Sequence, residues 1–184
     1  MARTPSVMIE LGTRAHDFTL PDVVSGKALS LHDLKGEKGT LIAFICVHCP
    51  FVKHVNSQLV QLAKDYANKG IMLIAISAND AAQYPEDGPE GMKQAAEQLG
   101  YTFPYLYDET QATAKAYQAA CTPDFFIFDK GLVLVYRGQL DDSRPGNGVP
   151  VTGSDIRLAF DAILNNLPVR ADQKPSIGCN IKWK

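Results

Sequence analysis

An α/β fold built on a central mixed sheet flanked by helices is what this sequence predicts, on three observations. Leu41–Ile45 (LIAFI) and Ile71–Ile76 (IMLIAI) are continuous apolar runs of strand length, the pattern of strands buried on both faces. Between them Val52, Val55, Leu59, Leu62, Ala63 and Tyr66 recur at three- and four-residue steps, the stripe of one amphipathic helix. Strand, helix and strand in that order make a crossover unit whose two strands run parallel. Phe125–Phe128 and Leu132–Tyr136, parted by Asp129, Lys130 and Gly131, read instead as an antiparallel hairpin, so the sheet is mixed.

The remaining elements follow in order. Phe18 to Leu31 mixes apolar stretches with Pro21, Asp22, Ser25 and Gly26, which suits an N-terminal β-hairpin with a tight turn. Gly39 leads into the first buried strand, and Gly70 stands where the helix over 51–68 stops. Asn79 to Gly91 is rich in Pro, Gly and acidic residues and reads as a loop, followed by helices over Met92–Leu99 and Gln111–Ala119. Asp141 to Gly153 is a second loop, Asp155–Leu164 a last helix, and Pro168 to Lys184 an extended C-terminal tail without periodicity. No repeat, low-complexity tract or linker interrupts the chain, so residues 1–184 form one domain, with a core over about 15–165 and a tail over about 168–184.

Composition excludes several function classes. Lys plus Arg is 18 against 20 for Asp plus Glu, a net charge of −2, so nothing favours a nucleic-acid backbone. No stretch approaches a membrane span, and the N-terminus MARTPSVMIELG lacks the apolar run of a signal peptide. The expectation is a cytoplasmic protein without cofactor or membrane partner. In that compartment isolated cysteines stay reduced unless they serve redox or metal chemistry.

Four cysteines are present, Cys46, Cys49, Cys121 and Cys179, and two of them form Cys46-Val47-His48-Cys49-Pro50 between the buried strand and the amphipathic helix. Such a pair is a redox dithiol, half of a zinc site, or two buried hydrophobes. A structural zinc site calls for a second close pair, whereas Cys121 and Cys179 are 58 residues apart (179 − 121). Inert burial is disfavoured by position, because α/β proteins place their chemistry at the carboxyl end of parallel strands.

Pro50 then distinguishes the two thiols. Proline suits the first helical position, which puts Cys49 at the cap, where unpaired backbone N–H groups and the positive helix end favour a thiolate. Cys49 is therefore the expected nucleophile and Cys46 its resolving partner. His48, between them, either favours the thiolate as an imidazolium or faces solvent. His16, His32 and His54 have no clustered partners and are expected to be structural or superficial.

These residues resemble the thioredoxin-like superfamily, on the alkyl hydroperoxide reductase/thiol-specific antioxidant (peroxiredoxin-like) branch that also holds thiol-disulfide reductases. The resemblance spans roughly 15–165 and rests on the order of its parts. They are Ala15-His16-Asp17-Phe18-Thr19-Leu20-Pro21-Asp22, Ser30-Leu31-His32-Asp33-Leu34-Lys35-Gly36, the strand with its cysteine motif, Ile76-Ser77, Phe103-Pro104 and Thr122-Pro123. CVHCPFVKH and the ending KPSIGCNIKWK narrow it to a bacterial group of thioredoxin-family proteins with a Cys-x-His-Cys-Pro motif. The resemblance implies a cis proline at Pro123, facing the active cysteine, with Thr122-Pro123 offering a backbone edge to a substrate peptide.

It also implies Cys49 as the attacking thiol, since Phe44 precedes it by 5 residues and Ser77 follows it by 28, as in the reductases. Val52 then fills the usual resolving position, so Cys46, Cys121 and Cys179 all stand as candidate resolving thiols. The peroxidase pattern Pro-x-x-x-Thr-x-x-Cys fails, with Ile42 and Cys46 in its proline and threonine places. Arg137, on a later strand, either assists an anion or peroxide or snorkels to solvent.

The expected function is thiol-disulfide exchange through Cys49 and Cys46, with a protein or small-molecule disulfide as substrate and a dithiol as reductant. A Cys49-dependent peroxidase is the alternative. A metal-binding or redox-sensing module using Cys46, Cys49 and His48 is the second. The acidic loops over Asp80–Glu90 and Asp141–Asp155 are expected to shape the surrounding surface.

Overall fold

A computed structural model describes residues 3–184. In chain order the elements are β1 (Thr4–Pro5), β2 (Thr19–Pro21), β3 (Ala28–Ser30), α1 (Leu31–Leu34), β4 (Gly39–Phe44), α2 (Pro50–Tyr66), β5 (Ile71–Ser77) and α3 (Pro89–Leu99). They continue with β6 (Tyr105–Tyr107), α4 (Ala112–Ala116), β7 (Cys121–Thr122), β8 (Asp124–Asp129), β9 (Leu134–Gly138), α5 (Ser154–Leu164) and β10 (Ile177–Asn180). The main sheet runs β6-β5-β4-β8-β9, with the first three strands parallel and β8 and β9 antiparallel, which is the mixed sheet expected.

β4 is central because it is apolar on both faces. Leu41 and Ala43 join a cluster with Val52, Val55, Leu59 and Leu62 of α2 and with Ile156 and Phe160 of α5. Ile42 and Phe44 point the other way, into a cluster with Ile74, Ile76, Phe126, Phe128 and Tyr117. The alternation is the two-residue period of a strand buried between layers. Leu59 and Leu62 are fully buried, each contributing about 1.5–3 kcal/mol of apolar transfer. After a short 3₁₀ turn beyond α2, Gly70 takes φ +85, a left-handed stop where a side chain would be strained.

Several expected boundaries shift, each for a local reason. The N-terminal hairpin is β2 paired with β3, and Ser30 and Asp33 cap α1 reciprocally across its first turn. α3 starts at Pro89 rather than Met92, because proline fits the first helical position and Gly91 lies against the Glu86 backbone, where a Cβ would meet an oxygen at 2.2 Å. α4 is shorter than the helix expected over 111–119, since Gln111 and Gln118 both adopt positive φ. β6 was not signalled, being three aromatic-rich residues whose pairing with β5 is entirely tertiary.

The acidic loops stay largely on the surface but each turns a carboxylate inward. Asp87 and Asp141 are both buried, and Asp141 accepts from the backbone N–H groups of Ser143, Thr152 and Gly153 at the entry to α5. The tail also departs from expectation, for its last part is a strand. β10 pairs antiparallel with β1 on one side and with β7 on the other. No helix among the described residues is long and apolar enough to cross a membrane.

Arg137 neither snorkels nor faces a site. It is fully buried, its guanidinium forks onto both oxygens of Asp124 and its carbon lies 3.8 Å over the Phe126 ring. Asp124 accepts in addition from Ser6 Oγ (2.7 Å) and from Ala120 N–H (3.0 Å), so the pair ties β8 and β9 to the residue that follows β1. An anion-binding role for Arg137 is thereby ruled out by its own partner. Arg137→Ala leaves a buried carboxylate uncompensated and is expected to cost about 3–5 kcal/mol of stability, read as a lowered urea midpoint. A change below about 1 kcal/mol would mean that Asp124 is satisfied without it.

Candidate active site

The cysteine motif sits where β4 ends and α2 begins. Pro50 occupies the first turn and Cys49 is the cap residue, as expected, with extended backbone at φ −68 and ψ 122. Its sulfur makes no cap hydrogen bond of the usual kind. It lies instead 3.0 Å from Cys179 Sγ and 3.1 Å from the Thr122 carbonyl oxygen. Cys46 Sγ is 3.4 Å from Thr122 Oγ1 and 4.0 Å from His48 Nδ1. The Thr122–Pro123 peptide is cis, as the resemblance implied. Val52, standing in the usual resolving position, is fully buried in the α2 core face.

These contacts separate the two thiols electrostatically. A hydrogen bond from Cys46 is the largest influence on Cys49, and with Cys179, Thr122 and the Val52 amide it outweighs burial, lowering the Cys49 pKa to about 4. The same contact works in reverse on Cys46, which is raised by its bond to Cys49, by burial and by the charge of Asp87. The Thr122 carbonyl oxygen, 3.1 Å from the Cys49 sulfur, suits an S–H donor and by itself disfavours the thiolate. The helix end was the reason given by the sequence for a thiolate. The structure puts the second thiol of the motif ahead of it, with the Val52 amide contributing least.

This sign has a direct consequence. Reduced Cys49 is expected to be a thiolate at neutral pH, with an ultraviolet thiolate absorbance that persists until the pH falls through about 4. Because the folded pKa is depressed below the ordinary thiol value of about 8.5, the stability it contributes is complete above that value. That contribution is lost as the pH falls toward 4. An absorbance lost near the ordinary thiol pKa, or unchanged in Cys49→Ser, would contradict the assignment.

His48 is oriented by Asp87, a residue the sequence left in a loop. The Asp87 carboxylate accepts from Val47 N–H (2.7 Å), His48 N–H (3.1 Å), Asn79 Nδ2 (2.8 Å) and His48 Nδ1 (2.5 Å). A carboxylate only accepts, so Nδ1 carries the proton and does not take one from Cys46. The ring stacks on Tyr84 at 4.8 Å between centroids and is only 18% exposed, so the solvent-facing reading of His48 fails. A proline-led 3₁₀ turn, Pro85–Asp87, aims this carboxylate beneath the motif. Cys46, His48 and Asp87 offer ligand atoms within 4.8 Å of one another. The four donors already on Asp87 use its lone pairs, which fits an anchor for the loop rather than a metal ligand.

Cys121 is buried, its sulfur facing the Pro123 carbonyl oxygen at 3.6 Å, and burial pushes its pKa up. It is not in hydrogen-bond contact with Cys49. Of the expected site residues the structure brings together Cys46, Cys49, His48, Thr122, Pro123 and Cys179. His54 is engaged elsewhere, with Ser143 Oγ at 2.7 Å. A cavity of about 510 Å³ beside α5, lined by Tyr136, Leu158, Val169 and Lys174 among others, contains none of the thiols.

The fold recurs among known proteins. A solved uncharacterized conserved protein from Geobacillus kaustophilus is 61% identical, covering 100% of this chain and 97% of that one, with a TM-score of 0.98. A hypothetical protein from Sinorhizobium meliloti is 50% identical over 98% of each chain, with a TM-score of 0.96. The thioredoxin-like fold is shared with more distant solved structures. Among curated proteins, the thiol-disulfide oxidoreductase ResA of Bacillus thuringiensis is 28% identical over 122 residues, 66% of this chain. The chain spans 65% of that relative's length. The AhpC/TSA family model matches residues 11–137, well over half of the 184, and the chain belongs to that family.

Proposed function

We propose that the protein is a thiol-disulfide oxidoreductase in which Cys49 attacks a substrate disulfide and Cys46 resolves the intermediate. The observation that carries this reading is a cap-position thiol lowered to about 4 by a neighbouring thiol three residues upstream. The relationship to a thiol-disulfide oxidoreductase over 122 residues supports it. The substrate is a protein or small-molecule disulfide, and the product disulfide is reduced again by an external dithiol. Free buried thiols suit a reducing compartment such as the cytoplasm.

The chemistry is self-consistent. The Cys49 thiolate attacks one substrate sulfur, forming a mixed disulfide and expelling the other sulfur as a thiolate. This removes the negative charge that held the Cys46 proton in place, so Cys46 becomes easier to ionise as its turn comes. Its proton passes to a departing thiolate, because Nδ1 of His48 is already donating to Asp87. Cys46 then attacks Cys49 and frees the second substrate thiol, leaving a Cys46–Cys49 disulfide. The test is turnover by the reduced protein of a small disulfide and of a disulfide-linked peptide, regenerated by a dithiol. Rates no higher than the protein-free blank for both would sink the proposal.

A peroxidase reading shares Cys49, and family membership is the observation that favours it. Against it stand the missing threonine and the commitment of Arg137 to Asp124. Stopped-flow oxidation by hydrogen peroxide at the rate of an ordinary free thiol would dispose of it.

A further inference from the structure

The chain's own C-terminal strand takes the place beside Cys49. β10 runs antiparallel to β7 with Cys179 opposite Thr122, a register that sets the Cys179 sulfur 3.0 Å from Cys49. Gly178 makes this approach possible, since a Cβ there would stand 2.0 Å from the Thr122 carbonyl oxygen. The strand is fastened on both sides. Ser176 Oγ donates to the Pro123 carbonyl (2.7 Å), and beyond β10 the Lys182 N–H donates to Asn79 Oδ1 (2.9 Å). Beneath it Cys49 is 0% exposed and Cys46 1%, while Cys179 itself is 6% exposed. Any disulfide, glutathione included, therefore reaches Cys49 only in the moments when β10 opens.

We propose that Cys179 is a third redox-active thiol, which forms a disulfide with Cys49 and so locks the C-terminal strand over the site. This rests on Cys49 being the attacking thiol. Cys49 attacks a small disulfide RSSR, bonds to one sulfur and expels RS⁻. Cys179, deprotonated by that leaving thiolate, then attacks Cys49 Sγ, forms the Cys49–Cys179 bond and expels the second RS⁻. The two protein sulfurs supply two electrons, Cys179 supplies one proton and solvent water protonates the second RS⁻, so two RSH result. Burial and the neighbouring Cys49 charge push the Cys179 thiol up to about 12, so it is silent until that charge is spent. Attack by Cys46 on Cys49 of this disulfide moves the bond to Cys46–Cys49 and releases Cys179 as a thiol, with no net electron transfer. The strand is then free to lift. Cys49 thus has two alternative partners, one that resolves it within the motif and one that closes the site.

Oxidised glutathione, added to the reduced full-length protein and to Cys46→Ser, tests this by disulfide mapping and counting of released glutathione. In Cys46→Ser the expected result is a Cys49–Cys179 linkage, two glutathione thiols released per chain and no retained adduct. The wild-type chain at limiting oxidant is expected to show both Cys46–Cys49 and Cys49–Cys179 linkages. A Cys46→Ser protein that stops at a stable glutathione adduct on Cys49, or links Cys49 to Cys121, overturns the role of Cys179 and leaves Cys49 as nucleophile. Failure of both proteins to react with glutathione, under conditions in which iodoacetamide alkylates Cys49 and so shows that β10 opens, overturns the nucleophile assignment itself. If Cys46→Ser does not fold, the wild-type map decides, with a Cys46–Cys49 linkage alone counting against the proposal.

Discussion

Cys49→Ser is expected to lose disulfide-exchange turnover by about 1000-fold or more, the scale on which removing a sole nucleophile acts. A serine hydroxyl is not ionised near neutral pH and does not form the mixed disulfide, so neither partner thiol has a sulfur to resolve. The wild-type pH profile carries the same information in another form. With Cys49 lowered to about 4, kcat/KM is expected to fall only as the pH drops toward that value. It should show no rise through the ordinary thiol pKa of about 8.5. Cys121→Ser provides the contrast, because that thiol faces the Pro123 carbonyl and turnover should survive its loss. Substantial turnover in Cys49→Ser would transfer the nucleophile's role to Cys46 or Cys179.

The sequence announced this site because its cause is local. Pro50 fixes the start of α2 and so which thiol stands at its cap, the same thiol that the resemblance to the reductases implies through the spacing of Phe44, Cys49 and Ser77. The central strands were legible for a similar reason, since β4 and β5 are apolar on both faces and need no partner to be recognised. What escaped notice is held by contacts between distant segments. β6 and β10 have three and four residues, too few for periodicity, and exist through pairing with β5, β1 and β7. Asp87 lies 38 residues after Cys49 and reaches the motif only because Pro85 and Pro89 bound a tight turn between two helical segments. One signal was available for it, an acid flanked by helix-starting prolines. The sequence names Cys179 only as one of three candidate resolving thiols, because a thiol 130 residues from Cys49 becomes its neighbour only through sheet register. Arg137 was misread in both directions, since its partner Asp124 belongs to the adjacent strand.

Gly178→Ala is expected to raise the alkylation rate of reduced Cys49 by about tenfold or more without altering a single thiol. Two properties of Cys49 oppose each other in the wild type. Its ionisation favours attack, but its complete burial restricts reagent to moments when β10 opens. Labelling therefore measures the population of the open form when closing is fast. A methyl group at Gly178 would sit 2.0 Å from the Thr122 carbonyl oxygen and 2.6 Å from its carbon, both backbone atoms with no freedom to rotate aside. Overpacking of this kind costs roughly 1–3 kcal/mol, and each 1.4 kcal/mol of lost docking is a tenfold gain in the open population. The opening is local to the strap. Hydrogen exchange of the Leu41–Phe44 amides in central β4 is expected to keep its slow rate, whereas the Cys179 and Asn180 amides of β10 exchange faster. Equal acceleration at both places would mean general destabilisation, and an unchanged alkylation rate would mean that β10 does not control access to Cys49.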